Sequence, residues 1–221
     1  MQKFETPAPI SAVLDIPAGH VRFVATDGAA TTVEVQPADP SKGRDVKTAE
    51  RTTVSYADGV LHVTTAAPDS KPVGFSGSLE VTVHLPVGSH VEARSESAEL
   101  QTEGRLGDVA FAGAYRRIKV GEVASLHLTA IDGDVEVGRL GGPADISTQR
   151  GSIRIAEAVR GKVVLLTQSG DITVGAAAGV SAALDAGTEY GRVSNALRND
   201  GTAELDIRAT TMQGDITARS L

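Results

Sequence analysis

The chain has 221 residues and a formal net charge of -7, with 41% hydrophobic and only 3% aromatic residues, and it contains neither Cys nor Trp. Without cysteines there are no disulfides, iron-sulfur clusters, thiolate zinc sites or thiol nucleophiles; with acidic and basic residues interspersed, nucleic acid is not an expected partner, because a phosphate backbone calls for a basic stripe. An interior so poor in aromatics is filled by Val, Ile, Leu and Ala, which suits a thin, regularly repeated core.

The N-terminal MQKFETPAPI has no basic segment followed by an apolar run, and no stretch reaches the roughly 20 apolar residues of a membrane-spanning helix. The expectation is a soluble, cytoplasmic chain without membrane insertion. Alternating runs at Val21-Arg22-Phe23-Val24, Thr32-Val33-Glu34-Val35, Leu61-His62-Val63 and Leu79-Glu80-Val81-Thr82-Val83 read as strands. The phrase Asp15-Ile16-Pro17-Ala18-Gly19-His20-Val21 returns near Leu85-Pro86-Val87-Gly88, where Pro is expected to end a strand and Gly to make a turn. Polar insertions at 37–45 and 67–77 are expected to be mobile loops. Residues 1–92 therefore read as irregular N-terminal rungs and a cap, with a small separate sandwich as the alternative.

Downstream, residues 93–221 are periodic. When Gly133, Gly151, Gly170, Gly191 and Gly214 are set in one column, Ala98 and Arg116 fall into it upstream. Two places later stand Leu100, Ile118, Val135, Ile153, Ile172, Val193 and Ile216, at an average spacing of about 19 residues. Two places further are Thr102, Val120, Val137, Ile155, Val174, Asn195 and Ala218. A second strand precedes the Gly column, with Val109, Leu126, Ala144, Val163, Leu184 and Ile207 seven places before it and Phe111, Leu128, Ile146, Leu165, Ala186 and Ala209 five places before it. Both alternate with period two. Three places before the column the later units carry Thr148, Thr167, Thr188 and Thr211, a candidate hydroxyl ladder. Each unit is strand, corner, strand, loop. A unit this short cannot bury its apolar face alone, so the units must stack as an all-β solenoid. The Gly is expected to supply positive φ at each corner, and the Asp that often follows it to bond nearby backbone. Opposite charges at Lys119, Glu136 and Arg154 are expected to face one another from rung to rung.

Taken together, TPAPISAVLDIPAGHVRFVATD, LPVGSHVEARSESAEL, the serial Gly-Asp-Ile/Val corners and the closing YGRVSNAL and LDIRATTMQGDITARS resemble the bacterial "putative adhesin" family of β-strand-repeat proteins, a domain of unknown function, in its short actinobacterial form. The resemblance spans nearly the whole chain and implies one right-handed, β-helix-like solenoid domain over 1–221. It brings no catalytic residues.

The residues themselves point to no catalytic, cofactor or metal site. The five histidines, His20, His62, His84, His90 and His127, all flank apolar residues in strand-like runs and are expected to face outward. Asp134, Asp171 and Asp215 follow corner glycines in the manner of calcium-binding β-rolls, but the unit is twice the nonapeptide length and Ser152 and Arg192 interrupt the series. Ser169-Gly170-Asp171 is not a G-x-S-x-G elbow, and its place is filled in other units by Tyr115, Asp132, Arg150, Tyr190 and Gln213. Three tyrosines and four phenylalanines make a poor sugar-stacking groove. The expected function is a non-enzymatic binding or scaffolding module that takes a protein partner through its strand faces or the two insertions. The alternative is a self-assembling scaffold whose last rung, running to Leu221, pairs with another copy unless Asp215 and Arg219 blunt it. Carbohydrate binding is a third, weaker reading.

Overall fold

The computed structural model describes residues 1–67, 77–113 and 117–221. Most of the insertion expected at 67–77, together with Tyr115 and Arg116, lies outside the described residues. The elements are β1 (Gln2–Glu5), β2 (Ser11–Thr26), β3 (Ala30–Pro37), α1 (Gly43–Glu50), β4 (Thr52–Ala57), β5 (Val60–Thr65), β6 (Leu79–Pro86), β7 (His90–Glu103), β8 (Arg105–Ala112), β9 (Ile118–Asp132), β10 (Val135–Leu140), β11 (Ala144–Arg150), β12 (Ile153–Ala158), β13 (Gly161–Ser169), β14 (Ile172–Ala176), β15 (Ala182–Tyr190), β16 (Val193–Ala196), β17 (Leu205–Gln213) and β18 (Ile216–Ser220). The fold is all-β, with one short helix among the described residues that the alternating pattern did not announce.

Two ladders carry the structure. The first runs β4, β5, β2, β7, β8, β9, β11, β13, β17, β15. The second runs β1, β3, β6, β2, β7, β9, β10, β12, β14, β18, β16. β2, β7 and β9 are long enough to contribute to both, so the hydrogen-bonded network is continuous. From β2 onward all pairings within the ladders are parallel, and the antiparallel ones are confined to β1, β3, β4 and their partners.

The apolar columns read from the sequence are the core. Leu100, Ile118, Val135, Ile153, Ile172 and Ile216 stack in register from the second ladder, and Phe111, Leu128, Ile146, Leu165 and Ala209 from the first. All are at most 1% exposed. A further inward column, Leu106, Val123, Leu140 and Ala158, follows the second strand of each rung. Phe23 and Phe111, which are among the largest fully buried side chains of the described residues, sit in the early rungs.

Several expectations need correction. Strand β2 runs straight through Pro17, so the first copy of the Pro-Gly phrase is a bend inside a strand; Gly19 lies there with φ +139° and no room for a Cβ against the Leu79 backbone. Only the second copy ends a strand, at Pro86, with Gly88 at φ +81°. The insertion at 37–45 is not a free loop, because residues 43–50 are helical and Asp45, 3% exposed, accepts the Ser78 N–H at 3.0 Å and ties α1 to the start of β6.

The largest correction concerns rung order. β17 pairs with both β13 and β15, and β18 with both β14 and β16. The last rung in the sequence is therefore inserted between its two predecessors, and rung 182–196 stands at the end of the stack. Composition explains the choice. Rung 205–220 offers Ile207, Ala209, Ile216 and Ala218 to the core, all buried, whereas rung 182–196 offers Asn195, whose Oδ1 accepts the Leu197 N–H but whose NH2 group would lose water if covered on both sides. Asp215 and Arg219 thus lie inside the ladder and do not blunt its edge.

Candidate binding face

The corners show what the repeated Gly-Asp phrase does. Gly133, Gly151, Gly170 and Gly214 have φ between +125° and +152°, as expected, but Gly191 in the outer rung does not share the positive φ. What Gly151, Gly170, Gly191 and Gly214 do share is proximity: a Cβ on any of them would overlap the carbonyl oxygen of the glycine one rung away. The residue after each glycine then bonds across the stack. Asp134 Oδ1 accepts the Ser152 N–H at 2.8 Å, Ser152 Oγ the Asp171 N–H at 3.2 Å, Asp171 Oδ1 the Asp215 N–H at 2.8 Å, and Asp215 Oδ1 the Arg192 N–H at 2.9 Å. This chain of acceptors follows the spatial rung order, with 215 before 192. The Arg192 backbone N–H, and then its guanidinium at 3.0 Å, hold the Asp215 carboxyl below the usual carboxylate range. The threonines form no hydroxyl-to-hydroxyl ladder; Thr167, Thr211 and Thr188 each donate at 3.0 Å to the glycine carbonyl of the adjoining rung, Gly151, Gly170 and Gly214 respectively.

Each aspartate considered for calcium is accordingly a turn acceptor, and among the described residues no three His, Asp or Glu side chains converge so as to hold a metal ion. Ser169 lies at a corner in register with Arg150 and Gln213. Lys119, Glu136 and Arg154 are neighbours in register as expected, but the ion pairs form further along the same strands, where Arg139 meets Glu122 at 3.8 Å and also Glu157.

All five histidines are exposed or half-buried on the outer surfaces. His20 pairs with Glu99 at 3.1 Å, and His84 contacts Thr32 at 3.3 Å, both on the second ladder. His62, His90 and His127 lie on the first, where His90 and His127, but not His62, line a large cleft. This cleft of about 730 Å³ crosses β2, β7, β8, β9, β11 and β13. Two outward columns shape it. In one, Val13, Glu92, Ala110, His127, Asp145 and Val164 follow one another in register; the small Ala110 between Glu92 and His127 opens the space. In the other, His90, Asp108 and Ser125 succeed one another, and Lys162 lies beyond them. Six strands at the β spacing make it roughly 24 Å long. The sequence contained each of these residues, but no motif marks a column assembled from positions about one repeat apart.

The polar side chains along one edge of the cleft bond to one another. Asp108 Oδ1 accepts the Ser125 hydroxyl at 2.5 Å, and His90 Nδ1 lies 3.3 Å from Asp108 Oδ2 and 3.1 Å from the Asp108 N–H. The carboxylate stands between serine and imidazole. In a nucleophilic triad the imidazole must stand between serine and carboxylate to take the serine proton, so this order leaves Ser125 unactivated. The result is a strip of exposed donors and acceptors over a small-residue floor.

A parallel ladder of short rungs, closed by turn acceptors and presenting side-chain columns on its outer surfaces, defines a solenoid-like β-repeat protein. The chain belongs to the Toastrack DUF4097 family, whose model matches residues 13–219. No functionally curated protein shows significant similarity to it. Among solved structures it is similar to a putative adhesin from Bacteroides fragilis NCTC 9343, over 98% of this chain and 95% of that one, with 12% identity and a TM-score of 0.58, a likeness of fold alone. A putative adhesin from Parabacteroides distasonis ATCC 8503 is similar over the same shares with 16% identity and a TM-score of 0.48. Among the described residues no helix is long and apolar enough to cross a membrane.

Proposed function

We propose that the chain is a non-enzymatic binding module, a right-handed solenoid whose first-ladder outer face takes an extended polypeptide segment of a partner protein. The observation that carries this is the cleft over β2 to β13. It is long enough for about seven extended residues, apolar at Val13, Ala110 and Val164, and edged by His90, Asp108, His127 and Lys162. Such a mixture of small apolar floor and convergent polar rim suits side-chain pockets along a bound strand. The resemblance in fold to proteins described as adhesins agrees with a binding role.

Panning a random peptide library against the protein tests this reading. Enriched peptides should lose binding to Ala110→Trp, which fills the cleft, and keep it for Thr129→Lys, elsewhere on the same face. No enrichment, or enrichment indifferent to Ala110→Trp, overturns the assignment; a hydrolytic activity lost on Ser125→Ala overturns its non-enzymatic part. A second reading, self-association, is favoured by the position of rung 182–196 at an open end of the ladder.

A further inference from the structure

Rung 182–196 has one neighbour per ladder, β17 for β15 and β18 for β16, and among the described residues no strand lies on the far side of either. The segment 197–204 covers only the beginning of that edge. There the Ala182 N–H donates to the Arg198 carbonyl at 2.9 Å and the Asp200 N–H to Ser181 Oγ at 3.2 Å. Further along, Leu184 and Ala186 are half-buried, and Tyr190 and Val193 are 72% and 46% exposed. Natural edges are normally blunted by Pro, Lys, inward charges, bulges or a covering element. β15 and β16 contain neither Pro nor Lys, and their core-facing positions Leu184, Ala186 and Val193 are uncharged.

We propose that this edge is the docking surface for a second copy of the same chain, paired antiparallel about a two-fold axis at Ala186. The proposal rests on the self-association reading and gives it a partner and a geometry. Self-complementarity selects the occupant. About that axis Asp185 faces the second copy's Gly187, Glu189 faces its Ala183, and Leu184 faces its Thr188, so no two carboxylates are directly opposed and each charged residue meets a small one. The core columns of both copies then run on into one another and cover Val193. The arrangement closes at two. The opposite end of the ladder is finished by antiparallel β1 and β4, with α1 packed against β3, β4 and β6, and an isologous contact offers no second copy of itself for growth.

The absence of cysteine makes a single introduced thiol a clean reporter. Light scattering coupled to size exclusion over a dilution series should show the mass rising from 22.7 kDa to twice that value and no further. Ala186→Cys should yield a disulfide-linked dimer under mild oxidation, faster than Thr129→Cys on the outer face. Val193→Lys should weaken the dimer by ~10-fold or more with the monomer's melting temperature unchanged, because a half-exposed lysine can extend into water until a second copy covers it. A monomer at every concentration overturns self-association and this proposal together. A dimer indifferent to Val193→Lys, in which Ala186→Cys reacts no faster than the control, leaves self-association standing and overturns the edge. Growth beyond two overturns the closed geometry.

Discussion

At the N-terminal end of the ladder β1, β3 and β4 turn antiparallel and α1 packs against β3, β4 and β6, whereas at the other end β15 and β16 keep the parallel register of the interior and simply stop. The first end uses dedicated, non-repeating sequence, while the second reuses the repeat and rearranges its order. A stack of equivalent rungs leaves one rung half-covered, and free energy is lowest when the least apolar rung takes that place. Rung 182–196, with Asn195 where its neighbours carry Val, Ile or Ala, is that rung.

The sharpest way to break this comparison is to place the same charge in one column at two depths. Ile216 and Val193 are partners in register, 1% and 46% exposed. Ile216→Asp should cost roughly 4 kcal/mol or more by burying an unpaired carboxylate, a large part of the ~5–15 kcal/mol that such a domain has. Val193→Asp should shift the melting transition only slightly. Circular dichroism melts compare them directly, and equal damage would mean that 205–220 is not the inserted rung.

The corner glycines offer a smaller contrast. Gly170 is enclosed by neighbouring rungs and has φ +152°, while Gly191 lies at the open end without positive φ. Gly170→Ala adds backbone strain of about 1–3 kcal/mol to a steric overlap that cannot relax on either side. Gly191→Ala meets the Gly214 carbonyl on one side only, and the outer rung can shift away. Chemical denaturation should show a several-fold difference between the two losses.

The sequence showed most of the interior and little of the ends. Columns such as Ile118, Val135 and Ile153 repeat because each rung meets the same environment, and that equivalence is what periodicity records. Rung order is invisible to it, since 182–196 and 205–220 carry the same pattern and either could stack on 161–176. The one sign was Asn195 in a column that is otherwise apolar from Val120 onward. The helix escaped because Gly43–Glu50 follows a turn-rich segment and is held by tertiary packing, including the Asp45 to Ser78 hydrogen bond across 33 residues. The cleft on the first ladder escaped for a related reason: Glu92, Ala110, His127 and Asp145 become neighbours only when rungs of unequal length are aligned on their outward faces.

The weakest effect expected is acid sensitivity at the outer rung. The Arg192 N–H and guanidinium depress the folded-state pKa of Asp215, so the carboxylate binds a proton less readily folded than unfolded. Its contribution to stability is therefore complete above the ordinary carboxylate range of about 4 and is lost as pH falls through the lowered folded value. Asp39, brought down to about 2 by the Ser41 hydroxyl and then Lys42, and Glu103, lowered first by Arg22, act in the same direction but lie in or beside early strands. Hydrogen exchange between pH 4 and pH 2 can separate the regions. Once intrinsic exchange rates are corrected for pH, amides of β15 and β16 should lose protection earlier than those of β17 and β18, although they precede them in the chain. Asp215→Asn keeps the oxygen that accepts the Arg192 N–H and removes the titrating charge. In that variant the outer rung should be slightly less protected at neutral pH, and its loss of protection on acidification should be shallower. An unchanged acid profile would place the sensitivity elsewhere and detach Asp215 from the stability of the open end.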